Sequence, residues 1–462
     1  MIELDTTIVA LSSGKENSAI AIIRISGKDA FKIFEKCLEE DQKEKFIKNP
    51  PKKIFLIKFL SPTSKSIIDE VNIIKYCSPN SYTGEDLIEI FCHGGRFIIE
   101  KIIESLISCG AVPAKRGEFT KRAFLNGKID LIKAEAICDL IESKTEKEYE
   151  AALLNYQGNY KEKFLKWKET ITKQLTNIEA NIEFPEEDDI IEKKEINLKI
   201  LQEEIDKIEE EIKKELKLRE KYEIIEKGIN IPIIGIPNAG KSSLFNLLLD
   251  TDRAIVHHEK GTTRDVISEE ILLFGERIKL LDTAGIREPD NQIEQIGIKK
   301  TYKEILKAFA ILFVTPADIK DFTNEEFDIL KQNDKITCII SKTDLSEAKE
   351  KIKILEKDGI PYIKTCLKQK SEREKIINFI KLTIGKKISN VEFPLIFRTK
   401  RQEFIAKKIL ENIFLIKQNI NTGEEIISYY LKNILTDLSE YVGETSSEEI
   451  LDKIFSQFCI GK

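Results

Sequence analysis

Residues 231–243, IPIIGIPNAGKSS, restrict what this chain can fold into more than any other stretch. An apolar run from Ile231 to Ile234 ends at Gly235; Asn238, Ala239, Gly240, Lys241, Ser242 and Ser243 follow, and then the amphipathic LFNLLLD. The order is strand, glycine-bearing turn, helix, with G-x-x-x-x-G-K-S at the turn. Such a turn closes backbone N–H groups around phosphate oxygens beside the positive end of a helix. Lys241 then reaches the β- and γ-phosphates, and Ser242 ligates Mg²⁺. Pro232 has no N–H to give a neighbouring strand, so it is expected where the strand begins.

Three further motifs follow in order: GTTRD (261–265), DTAG (282–285) behind Ile278, Leu280 and Leu281, and SKTD (341–344) behind Ile336, Cys338, Ile339 and Ile340. Together they imply a guanine-nucleotide switch. Asp344 can accept from guanine N1–H and the exocyclic amine, a donor pair adenine lacks. A plain P-loop ATPase would share the first motif without needing Asp344. Nucleotide contacts are therefore expected from Asn238, Ala239, Gly240, Lys241, Ser242 and Ser243, from Gly261, Thr262 and Thr263, from Asp282, Thr283, Ala284 and Gly285, and from Ser341, Lys342 and Asp344.

The rest of the chain lies before and after this core in sequence. Residues 1–120 mix strand-like runs (TIVAL, IAIIRIS, KIFLIKFL, EVNIIKYC) with helical patterns (FKIFEKCLEE, RFIIEKIIESLIS), an α+β domain. Residues 121–227 are helical almost throughout, broken at FPEEDD (184–189). Residues 228–385 hold the α/β nucleotide core, and 386–462 return to amphipathic helix and end in FCIGK. Helix before and after one core suggests a single helical domain with the α/β domain inserted. Apolar content of 41% with 33% charge indicates a soluble protein with a sizeable core, and no apolar stretch is long enough to span a membrane. The N-terminus lacks a basic region followed by an apolar run, so no secretory signal is expected. Eight scattered cysteines with no C-x-x-C pair fit reduced thiols in a cytoplasm. A net charge of −6 does not advertise nucleic-acid binding.

Two N-terminal stretches carry Gly, charged and aromatic residues in no helix or strand period: SYTGEDLIEIFCHGG (81–95) and AKRGEFTKRAFLNGKIDLIKAEAICDLIES (114–143). Thr83-Gly84-Glu85-Asp86 can make a turn and helix start, and His93-Gly94-Gly95 a hairpin end. A ligand site is the other reading, and periodicity leaves both open.

The set GIPNAGKSS, GTTRD, DTAGIRE, TGEDLIE…HGG, GEFTKRAFLNGKIDL and the terminal Cys-x-Gly-Lys resembles the MnmE (TrmE) family of tRNA-modification GTPases, colinearly over the whole chain. The resemblance implies a multidomain fold: an α+β folate-binding N-terminal domain that also dimerises, an all-α helical domain, and an inserted Ras-like P-loop GTPase domain. It implies a homodimer joined by an FAD-dependent MnmG subunit. The pair would install a 5-aminomethyl or 5-carboxymethylaminomethyl group on the wobble uridine of certain tRNAs, with a one-carbon unit from 5-formyl- or 5,10-methylene-tetrahydrofolate. Folate contacts carried over by motif are Arg24, Glu89, Lys128 and Lys462, with Cys459 taking part in the modification chemistry. A thiol acts as nucleophile only as thiolate, so the role of Cys459 depends on its surroundings.

Within the GTPase core the resemblance departs from the Ras pattern. Ile286 follows DTAG where a water-orienting Gln stands in Ras-like proteins, and the family uses a Glu twelve residues past the DTAG Asp, here Glu294. Asn238 matches the family's K⁺ ligand. His257, His258, Glu259 and Lys260, with Gly261 and Thr262, form the loop expected to complete the K⁺ shell. His257, Glu259 and Thr262 are its named donors. K⁺ against the phosphates would replace an arginine finger. Mg²⁺ would take Ser242 and Thr263. Ser341 stands where the base-reading motif usually has Asn; Thr365-Cys366-Leu367 replace the usual Ser-Ala start of the last base-contacting loop; Arg116 stands where Pro is common. A GTP-dependent assembly factor without folate chemistry is the alternative from another class. It needs neither the folate residues nor the terminal motif.

Overall fold

The protein is described from a computed structural model covering residues 5–14, 18–183, 190–249, 267–273, 275–282, 308–323, 326–327, 330, 335–385, 396–445 and 447–462. It divides into two compact units. The first holds Met1–Glu142, Ala152–Ile208 and Phe404–Lys462, and the second Ser143–Ala151 and Glu209–Glu403.

The first unit contains a six-stranded sheet built from β1 (Ile8–Leu11), β2 (Ile20–Ser26), β3 (Ile54–Leu60), β4 (Ile67–Tyr76), β5 (Leu87–His93) and β6 (Val112–Pro113), in the order β3-β4-β5-β2-β1-β6. All pairings are antiparallel except β1 with β6. One face carries Ile23, Ile25, Ile57, Phe59, Val71, Ile73, Ile88 and Ile90 into a core closed by helices α1 (Ala30–Glu35) and α3 (Arg96–Ser108). FKIFEKCLEE is not one helix. The carbonyl of Cys37 accepts from Leu60 N (2.8 Å) on β3, which ends the helical ladder before α2 (Glu40–Lys48) begins. Nor does Thr83-Gly84-Glu85-Asp86 open a helix. Asp86 O accepts from Gly27 N (3.0 Å), extending the β2–β5 ladder, and the chain continues as strand.

Helices α4 (Glu118–Leu125), α5 (Leu131–Glu142), α6 (Glu146–Tyr156), α7 (Tyr160–Glu183) and α8 (Ile190–Glu226) follow. The apolar stripe of α7 includes Tyr160, Phe164, Trp167, Ile171 and Ile178. It packs on a helix from the far end of the chain, where Phe164 stacks on Tyr441 with ring centroids 4.9 Å apart.

The second unit holds another six-stranded sheet: β7 (Ile229–Ile234), β8 (Ile267–Leu273), β9 (Glu276–Asp282), β10 (Ile311–Pro316), β11 (Ile336–Ser341) and β12 (Tyr362–Lys364). The order is β12-β11-β10-β7-β9-β8, parallel except for the β8–β9 hairpin. Helices α9 (Lys241–Leu249) and α11 (Arg373–Ile380) cover one face and α10 (Lys349–Lys357) the other. Near-continuous burial of β10 and β11 is what a parallel strand covered on both faces requires. Pro232 lies inside β7, not at its start. The ladder with β10 begins only at Ile233, so the missing N–H falls just before it. The chain ends in α12 (Lys400–Gln418), α13 (Glu424–Val442) and α14 (Glu448–Phe455). Among the described residues no helix is long and apolar enough to cross a membrane.

Candidate functional site

The phosphate loop follows from β7 and α9. Gly235 has φ +153°, and a Cβ there would stand 2.0 Å from Val314 O on β10, so only glycine allows the loop to cross the end of that strand. Asn238 is exposed with φ 63°, a left-handed turn that Asn tolerates. Lys241 opens α9, and its Nζ donates to Gly235 O (2.8 Å) and Ile236 O (2.9 Å), which holds the ammonium over the loop. Ser242, in the same first turn, is exposed. Asp282 pairs with Ile233, so the carboxylate-bearing end of β9 lies beside the strand that feeds the loop.

At the end of β11, Ser341 Oγ donates to Ala239 O (2.5 Å), joining the base-reading motif to the phosphate loop. Lys342 has φ 55° and pairs with Asp318 (3.2 Å), and Asp344 is exposed. Thr365 is buried and its N–H donates to Ile340 O (2.9 Å), while the Leu367 side chain reaches toward Gly240. Ser341 therefore meets the phosphate loop, with Lys342 and Asp344 following it at the end of β11. His257, His258, Glu259, Lys260, Gly261, Thr262, Thr263, Thr283, Ala284, Gly285 and Glu294 lie outside the described residues.

A second polar cluster sits in the first unit. Arg24 on β2 and Glu89 on β5 are register partners, and Arg24 Nη2 and Nε donate to Glu89 Oε1 (2.7 and 3.2 Å). Tyr76 donates its hydroxyl to Glu89 Oε2 (3.2 Å). Burial and the neighbouring carboxylate push the Tyr76 phenol above its ordinary pKa. The guanidinium lies over the rings of Tyr82 (5.4 Å) and Phe119 (5.6 Å). The chain's last residues come to the same place. Gly461 O accepts from Ser12 Oγ (2.9 Å) and Arg24 Nη1 (3.5 Å). Gly461 has φ +94°, and a Cβ on it would lie 2.0 Å from Leu11 O. Burial, and then Arg24, lower the pKa of the Lys462 ammonium, with Cys459 acting in the opposite sense. Cys459 is exposed, and the half-buried Cys138 thiol nearby is pushed up to about 12, first by burial and then by Glu142 and Asp139.

The tail is held on its other side by α4 and the loop before it. Arg116 Nε donates to Phe458 O (2.9 Å), Arg116 bridges Ile460 in antiparallel fashion, and Lys121 pairs with Asp452 (2.5 Å). Phe455 and Phe458 pack with Leu131 and Ala134. Lys128 is exposed, its Cε over Gly84, two residues from the Tyr82 that covers Arg24. Arg24, Glu89 and Lys462 are thus brought together, while Lys128 lies along the same loop without a described bond to them.

Arg122 was missed by motif reading. Fully buried, it donates to Thr6 O (2.7 Å), Glu85 Oε1 (3.0 Å) and Glu118 Oε1 (2.9 Å), while Ser26 Oγ donates to Glu85 Oε2 (2.7 Å). It locks the two irregular stretches to one another through Glu85 and Glu118. Tyr76 was also missed. Its signal is alternation, since Arg24, Ser26, Glu89 and Tyr76 are polar residues on one face of otherwise apolar strands.

A doubly wound sheet with a phosphate loop at one strand end, an Asp on the adjoining strand and a Lys-x-Asp turn beyond it defines a P-loop GTPase, here carrying an α+β domain and a helical domain. Residues 7–128 match the family described as GTP-binding protein TrmE N-terminus, and residues 131–459 match the MnmE helical domain. Among curated relatives, the tRNA modification GTPase MnmE of Natranaerobius thermophilus is 37% identical over 99% of this chain and 100% of its own. That of Fervidobacterium nodosum is 37% identical over 99% and 97%, and that of Clostridioides difficile 36% identical over 99% and 100%. The chain belongs to the MnmE family of tRNA modification GTPases. It is a GTPase that acts in tRNA modification.

Proposed function

We propose that this chain is the GTP-hydrolysing component of a complex that adds a 5-aminomethyl or 5-carboxymethylaminomethyl group to the wobble uridine of certain tRNAs. A bound tetrahydrofolate supplies the one-carbon unit, and an FAD-dependent partner completes the complex. The observation that carries this reading is the convergence of the C-terminal tail on the Arg24–Glu89 pair. A GTP-dependent assembly factor has no use for that convergence. The donor set suits a pterin with an anionic tail: Glu89 offers acceptor oxygens to ring N–H groups, the half-buried Tyr82 offers an aromatic ring, and Arg24, Lys128 and Lys462 offer cations. Cys459, exposed and near Lys462, would take part in the modification chemistry.

In the GTPase core, Ser242 would ligate Mg²⁺ together with Thr263, and Asn238 would ligate K⁺ with donors from 257–262. Exposed hydroxyl and carboxamide oxygens at the turn suit hard cations. Glu294 would position the attacking water. The functional domains are read as 1–120, 121–227, 228–385 and 386–462. A homodimer through the N-terminal sheet is supported by Ile20, Ile54 and Leu56, which are 62%, 66% and 63% exposed. They share the face that carries Arg24 and Glu89. A cytoplasmic location accords with eight free cysteines.

Mass spectrometry of wobble uridines in tRNA from a strain lacking this chain tests the proposal. Loss of the C5-substituted uridine, restored by the wild-type chain and not by one truncated before Cys459, is the expected result. Unchanged uridines would refute it.

A further inference from the structure

Strand β11, ITCIIS, is buried along its whole length, and its last residue, Ser341, is 1% exposed. A serine hydroxyl carries one proton. That proton is committed to Ala239 O at 2.5 Å, and the next nearest acceptor, Thr315 O at 3.4 Å, is also a backbone carbonyl. A Cβ on Gly240, which follows Ala239, would stand 3.7 Å from the Ser341 Cβ and Oγ, so the serine side chain lies against the loop there. The hydroxyl therefore fixes the peptide that directs the loop's last N–H groups toward a phosphate.

An Asn at this position has two N–H donors and an acceptor, enough to brace the loop and donate to a base together. Guanine N7 and O6 are both acceptors, so only a donor can read them. Ser341 has no second donor. The neighbouring Lys342 ammonium is engaged with Asp318 at 3.2 Å. Asp344, exposed two residues further on, can only accept, which suits the N1–H and the amine on the opposite edge.

We propose that Ser341 is a positioning residue of the phosphate loop rather than a reader of the base, and that this GTPase recognises guanine without a donor from this position to N7. The inference rests on the GTPase assignment and is independent of any folate chemistry.

The test is equilibrium binding of GDP and 7-deaza-GDP, whose N7 is replaced by C–H, to the full-length protein. The wild type is expected to bind the two within about threefold, because no hydrogen bond of ordinary strength is lost. Ser341→Ala is expected to weaken both in parallel, by about two- to tenfold, as the Ala239 carbonyl loses its donor. The ratio of the two affinities is the readout, since a general loosening of the sheet leaves it unmoved. A wild-type preference for GDP beyond about threefold overturns the proposal. So does a Ser341→Ala variant that weakens GDP and spares the analogue. If that variant does not fold, the wild-type ratio decides alone.

Discussion

Arg24 Nη2 lies 2.7 Å from Glu89 Oε1 across two register-paired strands, and both side chains are less than one-fifth exposed. A pair this sheltered is poorly screened by water, and its members are held in one geometry by Tyr76, Tyr82 and Phe119. Glu89→Gln replaces a charged acceptor with a neutral one. Tetrahydrofolate affinity is expected to fall by about 10- to 100-fold, the range for losing a charge-assisted hydrogen bond. GTP hydrolysis should stay at the parental rate. Isothermal titration with 5-formyl-tetrahydrofolate checks this, and unchanged affinity would remove Glu89 from the site.

Removing residues 459–462 should abolish tRNA modification and leave GTP hydrolysis intact, because the tail's partners (Ser12, Arg24, Arg116) all lie in the first unit. Arg116→Ala should loosen the tail without removing it. Amide exchange at Ile460 is expected to quicken by about two- to tenfold with the loss of one hydrogen bond. Loss of hydrolysis together with modification would mean that the tail supports the whole fold.

Single-turnover hydrolysis should be faster in K⁺ than in Na⁺. Asn238→Ala should lose that difference while still binding Mg²⁺–GTP through Ser242. Glu294→Ala should bind GTP and turn over about 10²–10³-fold more slowly in either salt, the usual cost of one transition-state partner. Equal parental rates in the two salts, or a fast Glu294→Ala, would sink the assignment.

Lys462 gives a pH dependence with two signs. Its ammonium loses its proton more readily than an ordinary lysine, because of burial and Arg24. As pH rises through the alkaline range below the ordinary value of 10.5, an anionic ligand loses a cation and binds more weakly. Docking of the free tail should strengthen over the same range, since the undocked lysine holds the extra proton. Lys462→Arg, charged throughout, should flatten the ligand curve. Affinity that is level from neutral pH to 10 for the wild type would exclude Lys462 from ligand binding.

The order of elements was legible from the chain. Period-two runs became β1–β4, and the strand–turn–helix at 229–249 became β7 and α9, because alternation and glycine placement are local properties. Pro232 was misjudged because strand position depends on which neighbour begins its ladder where, a fact that belongs to β10. FKIFEKCLEE broke in two because the Leu60 N–H, far along the chain, took the Cys37 carbonyl.

The sequence by itself determined the phosphate loop and the family, since each resides in contiguous residues whose chemistry is tied to their spacing. Only the tertiary structure decided that residues 12, 24, 89, 116 and 461 meet, that Arg122 braces the two irregular stretches, and that the Ser341 proton is committed to Ala239. Those contacts join residues up to 449 positions apart. Nothing local encodes them: a buried donor takes whichever acceptor the packed fold brings within reach, because leaving it unpaired costs about 1–3 kcal/mol.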